Sequence, residues 1–349
     1  MQFKITAVLG VVLAIAVLRT VAHRAGLLDH PGGRRQHDAA VPLVGGLAIG
    51  IGLAVALAAR GSLEPAPTAL MASALVVMIG GVIDDRIELS ARIKLLLQIF
   101  AASVLVEFGG VVLFHVGALF SPAVQGLGGM LAVPFTILGV VGVMNAMNMI
   151  DGADGLAGGI TLSALFWFGL AAWLAGMPAH ASLIGLFACA VAAYLLFNAG
   201  GPLARKFKVF LGDAGSMLLG LILAWLAIEL AMSPFAPLKP VTAVWILAVP
   251  ICDSVSLMLR RAWRRRSPFS PDREHLHHLL QDAGASSGRA VVLMLLISFS
   301  FGGFALFAEK AGVPEYVMFY LSMVIFVGYT VFAKRFFGRG ARTDSTGKF

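Results

Sequence analysis

Three acidic clusters stand out in a chain that is otherwise poor in charge. Asp84-Asp85-Arg86 closes one apolar run, and Gly212-Asp213-Ala214-Gly215-Ser216 opens another. Between them, residues 145 to 159 read Asn-Ala-Met-Asn-Met-Ile-Asp-Gly-Ala-Asp-Gly-Leu-Ala-Gly-Gly. A carboxylate at the bilayer centre costs at least about 2.5–3.5 kcal/mol, so Asp84 and Asp85 belong at an interface, beside Arg86 or a divalent ion. Asn148, Asp151 and Asp154 follow one another at intervals of three, which puts them on one face if the segment is helical or turn-like. Such oxygen ligands suit a hard cation like Mg2+, which keeps waters and substrate phosphates in its shell. Each cluster also has a plainer reading, as a solvated helix end, an Asn/Asp/Gly turn or a helix N-cap. Three of them in one chain with 18 acids favour the chemical reading.

Basic segments complete the set. Residues 29–37 read Asp-His-Pro-Gly-Gly-Arg-Arg-Gln-His and include Arg34 and His37, while Arg205, Lys206 and Lys208 precede Asp213. After Arg260, Arg261 and Arg264 to Arg266 comes Pro271-Asp272-Arg273-Glu274-His275-Leu276-His277-His278. Arginine and lysine suit pyrophosphate and lipid phosphate, and histidine can donate to phosphate oxygens. Arg260 to Arg266 and the tail read more simply as topology or anionic-lipid contacts. His-x-His-His also resembles a zinc tract, but no cysteine partners it. There is no Walker A loop, GxSxG elbow, HExxH or Rossmann fingerprint. Acids, amides and cations together fit phosphoryl transfer, which needs mainly positioning and charge neutralisation.

The elements that must hold these residues are membrane helices. Of 349 residues, 59% are hydrophobic and 13% charged, against roughly a quarter charged in soluble domains. Eleven apolar runs near spanning length are expected at about 3–22, 42–60, 67–83, 92–108, 129–147, 159–176, 181–198, 214–232, 241–259, 291–309 and 314–333. The fold class is therefore all-α and polytopic, one transmembrane domain over 1–349 with a basic tail at 334–349. The first run lacks a small-x-small cleavage site and reads as a retained helix. The Gly-rich stretch 109–128 could hide a short re-entrant or interfacial segment. Cys189 and Cys252 stand alone in apolar runs, so neither a disulfide framework nor a cysteine metal site is suggested.

Sidedness follows from the cations. One set of connections, with Arg92 and Lys94 at the mouth of the fourth run, holds 21 of the 26 Lys and Arg residues. The positive-inside rule makes that side cytoplasmic, the N-terminus periplasmic and the C-terminus cytoplasmic. All the acidic, polar and Gly-rich motifs fall on the same side, so function faces the cytoplasm. The +8 charge reflects orientation and an anionic substrate, not nucleic acid. A transport path would call for acids at mid-span and inverted repeats, and neither is visible; a non-catalytic lipid scaffold leaves the combined motifs unused.

From about Asp29 to Ala290 the chain resembles the polyprenyl-phosphate N-acetylhexosamine-1-phosphate transferases. Five motifs occur in that family's order: Asp29 to Gly46, Asp84-Asp85, Asn145 to Gly159, Gly212 to Ser216, and Ser267 to Leu279. The Pro-Asp-Arg followed by His-x-His-His is similar to the branch that uses UDP-GlcNAc and undecaprenyl phosphate, and differs from the phospho-MurNAc-pentapeptide branch. The resemblance implies attack of the lipid phosphate on the β-phosphorus of a UDP-N-acetylhexosamine. UMP is released and a polyprenyl-diphospho-sugar forms, the first membrane step of O-antigen and related polymers. UDP-GalNAc, UDP-FucNAc or UDP-MurNAc-pentapeptide are the alternative donors. It also implies Mg2+ or Mn2+, held by Asp213 and Asn148, and it is compatible with a homodimer. By the same resemblance Asp84, Asp85, Asp213 and His278 are catalytic. Asn145, Asn148, Asp151, Asp154, Arg273, His275, His277, Lys208, Arg34 and His37 then bind substrate.

Overall fold

The computed structural model describes residues 1–30, 40–61, 65–265 and 274–343. Its helices, in chain order, are α1 (Gln2–Ala25), α2 (Gly45–Arg60), α3 (Pro65–Ile87), α4 (Ala91–Gly109), α5 (Gly128–Ile150), α6 (Leu156–Leu174) and α7 (Pro178–Leu195). They continue with α8 (Pro202–Phe207), α9 (Gly212–Met232), α10 (Pro240–Ile246), α11 (Ala248–Trp263), α12 (Leu276–Asp282), α13 (Ser287–Lys310) and α14 (Glu315–Thr343). Two short antiparallel strands, β1 (Leu28–Asp29) and β2 (Val41–Pro42), pair Leu28 with Pro42 and Asp29 with Val41. The chain is an all-α polytopic membrane protein.

Each of the eleven expected runs is helical, but they are not alike. By length and composition α1, α3, α5, α6, α7, α9, α13 and most of α14 can cross a membrane. Helix α2 is shorter at 16 residues, its expected first residues being spent on β2. Helix α4 carries Arg92, Lys94 and Glu107, too many charges for an ordinary span. The ninth run is not one rod. It breaks at Leu247 between α10 and α11, which meet at 80°. Stretch 109–128 holds no re-entrant helix; it forms a hairpin-like loop with a bridge between His115 and Gly126.

Helix α9 is the axis. It is apolar all round, as a helix buried inside a bundle must be, and α2, α3, α5, α6 and α10 pack around it. Along α1, Ile5, Leu9, Leu13 and Val17 stay exposed on one stripe, the face expected of a helix turned toward lipid. The motif-bearing ends of α3, α5 and α9 meet at one end of this packed core, where α9 begins.

Candidate functional site

The start of α9 is placed first by backbone contacts. Phe210 donates its N–H to the Pro42 carbonyl (2.9 Å), while Gly45 and Gly46 donate theirs to the carbonyls of Phe210 (2.8 Å) and Leu211 (2.9 Å). The Val41–Gly46 segment is thereby stitched onto the Phe210–Gly212 turn. Two glycines then let helices close to backbone contact. A Cβ on Gly46 would lie 2.1 Å from Gly215 Cα, and one on Gly81 would lie 2.2 Å from Ala214 Cα. Nothing larger than glycine fits at either position. The result sets the Asp84-Asp85 end of α3 against the first turn of α9.

Asp85 Oδ1 accepts the Asp213 backbone N–H at 2.8 Å, which puts a carboxylate on the positive end of α9. Asp84, only 2% exposed, accepts the Leu89 N–H at 2.7 Å with one oxygen and meets the Lys94 ammonium with the other. Lys94 reaches Asp213 as well, at 3.0 Å, so it bridges two of the acids. Arg86, the cation expected beside the pair, is exposed; Lys94 takes that place. From α5, Asn148 donates to Asp213 Oδ1 and to Ser216 Oγ, both at 2.9 Å. Asp84, Asp85, Asn148 and Asp213 thus form one cluster assembled from α3, α5 and α9.

The second group lies in the turn after α5. That helix runs through Ile150, three residues beyond the expected end, so Asn148 is helical while Asp151 to Gly155 form a turn before α6. Asp154 meets Lys208 at 2.6 Å. Asn198 fastens the two loops together: its Oδ1 accepts the Gly155 N–H (2.6 Å) and its Nδ2 donates to the Val209 carbonyl (3.0 Å). Asp151 sits between the groups. Burial pushes its carboxyl up to about 8, and the charges of Asp213, Asp85 and Asp154 push the same way.

The histidines close the third side. A Cβ on Gly152 would lie 2.6 Å from His277 Cε1, so the turn packs directly onto that ring. His277 stacks on His275 at 5.8 Å and leans on His278 at 4.0 Å. The rings stack instead of converging, and among the described residues no three His, Cys, Asp or Glu side chains are grouped to hold a metal by themselves.

Other expected site residues sit elsewhere. Asn145 donates to Gln98 Oε1 (2.7 Å) and the Val141 carbonyl (2.9 Å), one turn below Asn148 and away from the carboxylates. His275 is buried with Nδ1 on Asp253 Oδ2 at 2.8 Å. Arg34, His37 and Arg273 lie outside the described residues. Conversely, Lys94, Asn198 and Asp253 are absent from the expected set. Lys94 had served only to mark the cytoplasmic side. Asp253 also corrects the expectation that no acid stands at mid-span, since it is 1% exposed well inside the 241–259 run.

The cluster suits a hard divalent cation. Asp85 Oδ2 is buried without a hydrogen-bond partner, and its neighbours Asp84 and Asp213 are carboxylates, the oxygen chemistry Mg2+ prefers. That ion characteristically takes one or two carboxylates and fills the rest of its shell with water and substrate phosphate, so a pair of protein ligands is enough. A lysine already neutralising Asp84 and Asp213 shows how strongly this spot calls for positive charge.

Comparison with known proteins places the chain in a family. Residues 67–231, which contain α3, α5, α9 and both acidic turns, match the model of "Glycosyl transferase family 4". The chain is 35% identical to the undecaprenyl-phosphate alpha-N-acetylglucosaminyl 1-phosphate transferase of Escherichia coli O157:H7, over 91% of this chain and 86% of that protein. The like-named proteins of Salmonella typhi (35%; 92% and 87%) and Haemophilus influenzae (32%; 92% and 90%) are similar over the same extent. Identity at this level over nine-tenths of the chain leaves one conclusion: the chain belongs to glycosyl transferase family 4.

Proposed function

We propose that this protein transfers GlcNAc-1-phosphate from UDP-GlcNAc to undecaprenyl phosphate. The observation that carries the proposal is the Asp84/Asp85/Asp213 cluster, bridged by Lys94 and flanked by the Asp154–Lys208 pair and the histidine stack, in a chain similar throughout to transferases of that name. An oxygen of the lipid phosphate attacks the β-phosphorus, the bond from that phosphorus to the oxygen bridging the α-phosphate breaks, and UMP leaves with the electron pair. The lipid phosphate needs little help with deprotonation, because a phosphate monoester with a second pKa near 6 is mostly dianionic at neutral pH. Asp84 and Asp85 serve instead to hold Lys94 and the α9 N-terminus in place. Lys94, Lys208 and the histidines offset the charge gathered on the diphosphate. Asp213 and Asn148 are the residues that would hold Mg2+ or Mn2+, which when bound supplies charge neutralisation at the pyrophosphate.

The reading places the protein in the bacterial inner membrane with its N-terminus periplasmic and the site cytoplasmic, as the cation distribution supports. The test is transfer by purified protein in detergent, with undecaprenyl phosphate and a panel of labelled UDP-amino sugars, each with Mg2+ and with chelator. Metal-dependent label in the lipid fraction with UMP release is expected, with UDP-GlcNAc the best donor. Folded protein that transfers from no donor refutes the reading.

A further inference from the structure

The histidine motif is held by a device that the reaction above does not use. Asp253 projects from α11 and accepts three hydrogen bonds: from His275 Nδ1 (2.8 Å), from the Leu276 backbone N–H in the first turn of α12 (2.9 Å), and from the Tyr329 hydroxyl on α14 (2.6 Å). Seven residues on, along the same face of α11, Arg260 donates to the Glu274 carbonyl at 2.7 Å and to Ser256 Oγ at 2.6 Å. Asp253 and Arg260 are each 1% exposed. Two buried charges on one helix therefore grip the backbone on both sides of His275. The break at Leu247 gives α11 a direction of its own, and Ser254 reaches the Ala146 carbonyl of α5 at 3.5 Å, in the last turns of the helix that leads into the acidic turn.

Burying charge in this way is costly unless the geometry is fixed and every lone pair is used, and a buried pair then serves specificity of arrangement more than stability. A carboxylate facing Nδ1 makes that nitrogen the protonated one and leaves Nε2 basic, just as an outer partner fixes a metal-binding histidine. His275 passes its orientation to His277 by stacking, and His277 rests on Gly152 beside the acidic turn. We propose that Asp253 and Tyr329 are positioning residues for transfer: with Tyr329 holding Asp253, Asp253 locks the tautomer and ring plane of His275 and so sets the His275–His277–His278 stack over the Gly152 turn.

The inference rests on the function proposed above, and its test separates the two. Asp253→Asn keeps the shape but places an amide where the carboxylate was, which forces His275 to the other tautomer. Tyr329→Phe removes one hydroxyl donor and leaves the ring. We expect Asp253→Asn to lower kcat by about 10- to 100-fold, the scale of loss when the outer partner that orients a functional histidine is removed. Tyr329→Phe should lower it several-fold, with KM for the UDP-sugar within about twofold of wild type for both. Proton NMR of the detergent-solubilised protein should show a downfield Nδ1–H resonance that Asp253→Asn abolishes and Tyr329→Phe shifts. Wild-type kcat in Tyr329→Phe, or in a folded Asp253→Asn, overturns the proposal, and so does a loss confined to KM. If Asp253→Asn fails to fold, Tyr329→Phe decides alone. An inactive wild-type protein refutes the transferase reading instead, and the NMR signature still tests the Asp253–His275 lock.

Discussion

Replacing Gly81 by alanine is the sharpest test of how the site is assembled. The substitution adds one methyl group on α3, three residues before Asp84, and touches no group with chemistry of its own. That methyl would sit 2.2 Å from Ala214 Cα, whereas ordinary contact begins at 3.4 Å. The atom in the way is backbone, which no rotamer change can remove. Helix α3 and the start of α9 must therefore part by more than about 1 Å, and they do so at the residue next to Asp213. Misplacement by 1 Å can cost on the order of 10²-fold in rate, so transfer should fall by about that factor or more. Overpacking costs about 1–3 kcal/mol, leaving a folded protein with a lowered Tm. The assay is initial-rate transfer in detergent, with thermal melting of the same preparation. Gly142→Ala, on an open face of α5 with nothing within 4 Å, is the control and should change neither. If Gly81→Ala transfers within threefold of wild type, the acidic cluster does not depend on backbone contact between α3 and α9.

Further predictions concern the charges. Lys94→Met leaves Asp84 and Asp213 facing each other without a cation; transfer should drop at least about 10²-fold, and the Tm should fall further in chelator than in Mg2+. Equal Tm loss in both media would show that Lys94 and the divalent ion do not share the site. Asp213→Asn should abolish measurable transfer while the protein stays folded in the membrane, and normal activity would remove Asp213 from the metal site. Asp151 has a folded-state pKa raised to about 8 against about 3.9 unfolded, so the folded form holds its proton where the unfolded form has lost it. Its penalty is absent below pH 4, grows as pH rises through that window and levels off above 8. Asp151→Asn should therefore melt higher than wild type in chelator, by a margin that widens from pH 5 to 8; a margin independent of pH would refute the assigned environment.

The helices were legible because spanning lipid demands long apolar runs, and short connections leave little room to misplace them. The chemistry was legible as residue types: acids and amides are too costly near a membrane to be idle. What the residues could not reveal was pairing across long stretches of chain. Lys94 looked like a marker of sidedness, since nothing local says that an ammonium on α4 will sit between acids from α3 and α9. Arg86, adjacent in sequence, was the natural partner for the pair and turns outward because Asp84 and Arg86 lie on different faces of one helix. The break at Leu247 was invisible for a related reason. Residues 241–259 have the composition of one span, and only buried Asp253 and Arg260 on a common face hint that part of it serves a loop. Asn198 carried no signal beyond being a lone amide at the end of an apolar run.

The way the site is stitched has a consequence for how the protein comes into being. The Asp85 carboxylate waits for the Asp213 amide 128 residues further along the chain, and the Asp253 anchor waits another 76 residues for Tyr329. A ribosome threading this protein into a membrane therefore releases the acidic residues long before their partners exist. Competence should come late, after α9 has completed the acidic cluster, and rise again when α14 brings Tyr329 to Asp253. A chain ended before α14 would have His275 on Asp253 with no Tyr329 behind it, and would spend the cell's lipid carrier more slowly.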